Sequence, residues 1–158
     1  MKNKRFYTIS TLALALVLMS AFMFTPNTAY AQSGGGTGSL TASGVGLAGV
    51  RGNGTATISG NGILYVRDYG GDANIQVSGE GVRTELPSGW IRYSGFNGQA
   101  TISGSNFKIG LSGFNINLYA TGTGSFVLRG SGSYSVEKDG VVIASGKWVE
   151  GVEPIELP

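Results

Sequence analysis

The chain of 158 residues contains no cysteine and no histidine. The first absence excludes disulfides, thiol nucleophiles, thiolate metal sites and a lipid-anchored cysteine. The second excludes Ser-His and Cys-His nucleophile systems and histidine-ligated zinc or copper. Charge is also sparse, with 11 Lys and Arg against 9 Asp and Glu. Helical spacing of apolar residues is missing beyond the first thirty or so positions, where abundant glycine would penalise a helix heavily.

The one long apolar run lies at the N-terminus. Lys2, Lys4 and Arg5 precede an apolar stretch from Thr11 to Phe24, and Ala29-Tyr30-Ala31 supplies a small-x-small cleavage pattern. The run falls short of the about 20 apolar residues of a spanning helix. Residues 1–31 therefore read as a signal-peptide helix. Its removal takes away three basic residues and leaves eight against nine acidic ones. The basic balance of the whole chain thus belongs to export and not to a nucleic-acid footprint. With no second apolar run, no membrane span is expected after cleavage, and the product is expected to be bacterial and secreted or held at the cell surface. The remaining expected boundaries are a Gly/Ser-rich linker at 32–37, a repetitive β domain at 38–150 and an extended, proline-bearing tail at 151–158.

What is abundant is glycine. All 28 glycines follow the leader, about three times the ordinary share of ~7%. Aliphatic and aromatic residues recur between them at strand spacing, which separates the chain from disordered glycine-rich sequences. The chain also repeats itself. LTASGVGLAGVRGNGTATI at 40–58 matches LYATGTGSFVLRGSGSYSV at 118–136, and NGTATISGNGI at 53–63 matches NGQATISGSNF at 97–107. Repetition of this kind means copies of one small structural unit.

Glycine-bearing turn signals return about every nine residues from Gly38 to Gly140, commonly as Ser/Thr/Arg-Gly-x-Gly. Short runs of alternating apolar and polar residues lie between them, as in half-buried strands. If each Gly-x-Gly is a three-residue hairpin loop, Ser43 faces Leu47, Ala42 faces Ala48 and Val50 faces Ala56. A two-residue Ser105-Asn106 turn pairs Ile102 with Ile109, and Asp139-Gly140 sets Val136 against Ile143. The apolar set then stays on one face, while Thr41, Ser43, Thr55, Thr57, Ser59, Tyr65 and Arg67 point away. The expected fold is all-β: a glycine-punctuated antiparallel meander of about ten or eleven short strands, closed as a small barrel or sandwich. A β-solenoid is the alternative.

Catalytic chemistry has little to stand on. Asp68 and Asp72 lie close together in RDYGGD, and their glycine neighbours mark them as turn residues. No catalytic residue, metal or cofactor is expected. The better candidates are ligand contacts: Trp90, Arg92 and Tyr93 in TELPSGWIRY, where the repeats break down and an aromatic beside arginine can stack on a sugar or other planar group. Tyr65 and Tyr119 are further outward aromatics. The expectation is a non-enzymatic structural or cell-surface matrix protein whose partners are further copies of itself. A small carbohydrate- or ligand-binding β-domain, with an extracellular glycan as partner, is the alternative.

Overall fold

A computed structural model describes residues 38–149. The expected signal-peptide helix, the 32–37 linker and the 151–158 tail lie outside the described residues. Those described form an all-β antiparallel arrangement of four strands: β1 (Gly38–Asp68), β2 (Asn74–Glu85), β3 (Ile91–Lys138) and β4 (Val141–Lys147). The sheet order is β1-β3-β2, with β4 on the other side of β3. The all-β class is as expected. The count of ten or eleven short strands is not, and the sheet does not close into a barrel.

The difference lies in the Gly-x-Gly segments, which do not reverse the chain. Ser43 pairs with Asn117 and Ser133, not Leu47, and Ile102 pairs with Ala56 and Ile75, not Ile109. Most β1 residues carry two partners on β3. Leu118 lies between Ala42 and Ile58, and Leu111 between Ala48 and Leu64. Each of these β1 pairs is sixteen positions apart. β1 therefore makes a full circuit in sixteen residues, with β3 laid antiparallel between successive circuits.

Every residue that β1 turns inward occupies an even position. The even positions read Leu40, Ala42, Gly44, Gly46, Ala48, Val50, Gly52, Gly54, Ala56, Ile58, Gly60, Gly62, Leu64, Val66. Two apolar residues alternate with two glycines. The apolar residues are all buried, and together with those of β3 they form one core cluster. The glycines fall where the strand folds from one layer of the structure to the other. On the inside of such a bend two backbones meet: Gly46 pairs with Gly130 and Gly54 with Gly122. A Cβ on Gly46 would overlap the Arg129 carbonyl oxygen, and its φ of 129° is open only to glycine.

β3 follows the same rule with a slightly longer circuit. The two partners of Gly38 are sixteen positions apart (Gly122, Lys138), and those of Ile58 eighteen (Ala100, Leu118). The extra residues sit at bends, where the register skips at Gly95, Asn106 and Asn115. These adopt φ of 65°, 45° and 54°, left-handed values that Gly and Asn tolerate.

The two similar segments are partners of each other. Leu40 pairs with Val136, Gly49 with Val127 and Ile58 with Leu118, so 40–58 lies antiparallel to 118–136 along its whole length. Equivalent residues Gly49 and Val127 meet at the centre, which makes a local two-fold axis. Thr57 and Thr101, equivalent in the other pair of similar segments, also pair directly.

Two outer faces result. One layer holds the strand passes 39–43, 55–59, 74–78, 99–103, 117–121, 133–137 and β4. Its outward row runs Ser145, Ser135, Thr41, Tyr119, Thr57, Thr101, Gln76. The other layer holds 47–51, 63–67, 82–85, 91–94, 108–112 and 125–129. At the β4 end Trp148 is buried, its indole Nε1 donating to the Ser133 carbonyl at 3.1 Å. The Asp139-Gly140 hairpin between β3 and β4 forms as expected, with φ of 52° and 77°. A register shift there places Val136 opposite Ala144, one residue beyond Ile143.

Candidate functional site: a cationic and aromatic face

The outward positions of the second layer concentrate charge of one sign. Arg51 and Arg67 both pair with Lys108, so three cations stand in a row on adjacent passes. Neighbouring strands lie about 4.8 Å apart, and like charges directly opposite one another are destabilising. Arg92 stands beside Tyr65 in the next row, and Arg129 beside Leu47 in a third. None of the outward residues paired in this layer is acidic. Five of the eight basic residues among residues 38–149 are thus gathered on one face.

Aromatic rings fill the space between these cations. Trp90 meets Tyr65 edge-on at 6.2 Å between centroids and Tyr69 at 6.4 Å. The Arg67 guanidinium lies 4.2 Å from the Tyr69 ring centre and 5.9 Å from Trp90. Arg51 is 5.7 Å from Tyr69, and the Lys108 ammonium 5.8 Å from Trp90. Each distance is within the roughly 6 Å reach of a cation–π attraction. Tyr69 remains 41% exposed, so the cluster opens to solvent. The Arg92 Nε is enclosed without a hydrogen-bond acceptor, an arrangement that costs folding free energy.

Two turns hold the rings in place. Asp68 ends β1, its Oδ1 accepting the amides of Gly70 (2.9 Å) and Gly71 (2.8 Å) and its Oδ2 that of Ala73 (2.9 Å). Tyr69 sits inside this loop, and its amide donates to the Asn106 carbonyl at 3.0 Å. Asp72 fastens the far side, accepting the Ser105 amide and hydroxyl, each at 2.9 Å. The Ser105 amide, and then its hydroxyl, hold the Asp72 carboxyl below the usual carboxylate range. Trp90 closes the Leu86–Trp90 turn, in which the Leu86 amide donates to the Trp90 carbonyl (2.8 Å) and the Gly89 amide to the Leu86 carbonyl (2.9 Å). Asp68 and Asp72 are therefore engaged as turn carboxylates.

Of the residues singled out in the sequence, Trp90 and Arg92 join the cluster. Tyr93 turns the other way. It packs against the core, its ring 6.4 Å from Phe96, and its hydroxyl bonds Arg83. Arg83 also pairs with Glu85 at 2.7 Å, placing charge at the β2 end of the core. Tyr119 is 52% exposed in the centre of the hydroxyl-rich face of the first layer, away from the cations.

Arg51, Arg67, Lys108 and Tyr69 were not expected at a site. The signal for the two arginines was their separation of sixteen, one circuit of β1, which stacks Val-Arg at 50–51 beside Val-Arg at 66–67 with Lys108 between them. No family model, curated protein or solved structure matches the chain.

Proposed function

We propose that the chain is an exported, non-enzymatic β protein of the cell surface or matrix that holds an acidic carbohydrate chain on its cationic and aromatic face. The observation that carries this reading is the row Arg51–Lys108–Arg67 with Tyr69 and Trp90 set between its charges. Sugar rings present apolar C–H faces that rest on Trp and Tyr. Carboxylate or sulfate groups on the same polymer meet arginine in paired hydrogen bonds. A neutral glycan would make no use of the positive charge on Lys108 and Arg67, and a simple anion would leave the rings unused. A long strand surface also suits a polymer better than an enclosed small molecule.

The experiment is isothermal titration of the purified protein with a polyuronate and with a neutral glucan of similar length. Binding to the polyuronate alone, weakening as salt rises and lost in Trp90→Ala and Arg67→Ala, is the expected result. Equal binding of both polymers, or of neither, refutes the reading.

A further inference from the structure

We infer that the cationic face takes its acidic polysaccharide as an unbranched chain laid across the strands, with one sugar ring seated on Gly49 and Gly110. This rests on the carbohydrate reading and fixes how the polymer lies. The outward positions of the second layer form parallel rows that cross the passes. One row runs Arg51, Lys108, Arg67, and the next runs Val127, Gly49, Gly110, Tyr65, Arg92. The rows stand roughly 7 Å apart, two residues of rise along a strand. The second row therefore has a gap at its middle, where two neighbouring passes present no side chain. Lys108 lies two residues along the strand from Gly110, so the cationic row borders the gap, and Tyr65 ends it.

These two glycines differ from those at the bends. Gly44, Gly46, Gly52 and Gly54 are kept as glycine by backbone that a Cβ would overlap. Gly49 and Gly110 have no positive φ. A Cβ added at Gly110 meets its nearest atom, the Ala48 carbonyl oxygen, at 3.4 Å, an ordinary contact, and one at Gly49 meets the Ile109 oxygen at 3.2 Å. The counterpart of Gly49 in the similar segment is Val127, so the same place in the unit accepts a branched side chain. Glycine in a strand interior weakens the sheet, and where folding does not require it, it marks close approach of another group to the backbone. The borders of the gap select that group. Lys108 beside Gly110 favours a negative charge. The glycine Cα atoms and the neighbouring Tyr65 ring favour a flat body with an apolar C–H face. A uronic acid ring meets both demands. A ring carrying a branch on its lower face does not, since the floor is backbone. Lys108 and Arg67 follow one another in the same direction as Gly110 and Tyr65, so carboxylates along one side of the polymer meet successive cations.

Gly110→Ala and Gly110→Val test this by titration with the polyuronate, beside Arg67→Ala and Trp90→Ala. Both glycine variants should melt at or above the temperature of the parent protein, because alanine and valine suit a strand better than glycine. Polyuronate affinity should nevertheless fall in order of side-chain size, by about tenfold in Gly110→Val. A polyuronate acetylated on its ring hydroxyls should bind the parent protein more weakly than the plain polymer. Full affinity in Gly110→Val, with binding lost in Arg67→Ala and Trp90→Ala, overturns the seat on glycine and leaves the carbohydrate reading standing. A lowered melting temperature in Gly110→Ala also overturns it, by making the glycine structural. So does equal binding of the acetylated polymer. Absence of polyuronate binding by the parent protein refutes the carbohydrate reading itself, and this inference with it.

Discussion

The Thr57 hydroxyl lies 3.0 Å from the hydroxyl of Thr101, its equivalent in the similar segment 97–107. The two residues are register partners, so one side chain meets its own counterpart where the two segments cross. Like-to-like pairing is how this chain builds its layers from similar segments.

That contact gives the first prediction. Thr57→Val keeps the shape and removes one hydroxyl, leaving the other without its partner. The expected loss is about 1 kcal/mol, near the centre of the range for a net hydrogen bond. Thr101→Val should cost about the same, and the double variant less than the sum of the two. Urea unfolding of the three variants measures the coupling; strict additivity would show the contact contributes nothing to stability.

The bends supply a sharper test. At Gly46 a methyl group would overlap the Arg129 carbonyl oxygen, and φ is 129°. Overlap and backbone strain together should destabilise Gly46→Ala by about 3 kcal/mol or more. Gly71 also has positive φ, at 75°, but nothing lies within 4 Å of its added Cβ. Gly71→Ala should lose only about 1–2 kcal/mol, the ordinary left-handed penalty. Equal midpoints in urea for the two variants would remove close backbone approach as the reason for glycine at the bends.

Asp72 contributes to the acid limit. Its folded value lies below the ordinary one because it accepts from the Ser105 amide and hydroxyl. The bound form is the charged one, so the stability it brings is fully present above the unfolded value of about 3.9. It is lost as pH falls through the lower folded value. No histidine or cysteine is present to titrate between about pH 5 and 8. Melting temperature should therefore be flat across that interval and decline below about pH 4, with a smaller decline in Asp72→Asn. A transition near pH 6.5 in the parent protein would contradict this.

These same features show how far the sequence can be read. Alternation placed Leu40, Ala42, Ile58 and Val66 inside and Thr41, Ser43 and Tyr65 outside, and the burial of β1 agrees. Strand connectivity was not legible by that route. A three-residue hairpin and an in-strand bend both keep the parity of the side chains, so Gly44-Val45-Gly46 satisfies the face pattern either way. The distinguishing signal was the second glycine at an inward position. A hairpin loop needs one left-handed residue, whereas a bend between crossing backbones needs both inward positions empty, as at Gly44 and Gly46. The period of eight at even positions, read as a bend every eight residues, also gives the sixteen-residue circuit that brings Arg51 and Arg67 together. Tyr69 and Lys108 were beyond reach, because their positions depend on the Asp68 loop and on the register of β3.

Lys108 separates the needs of folding from those of binding. It stands between Arg51 and Arg67, and its ammonium lies 5.8 Å from the Trp90 ring. Replacing it with glutamate exchanges two repulsions across the strands for two attractions. Cross-strand charge pairs are each worth roughly 0.2–1 kcal/mol. Lys108→Glu should therefore unfold at equal or slightly higher urea concentration than the parent protein. The same change breaks the cationic row and places a carboxylate where an acidic polymer would lie, so polyuronate affinity should fall at least tenfold at low salt. A residue that served only packing would lose stability and leave binding alone. Gain or maintenance of stability with loss of binding is the signature of a charge kept for a ligand.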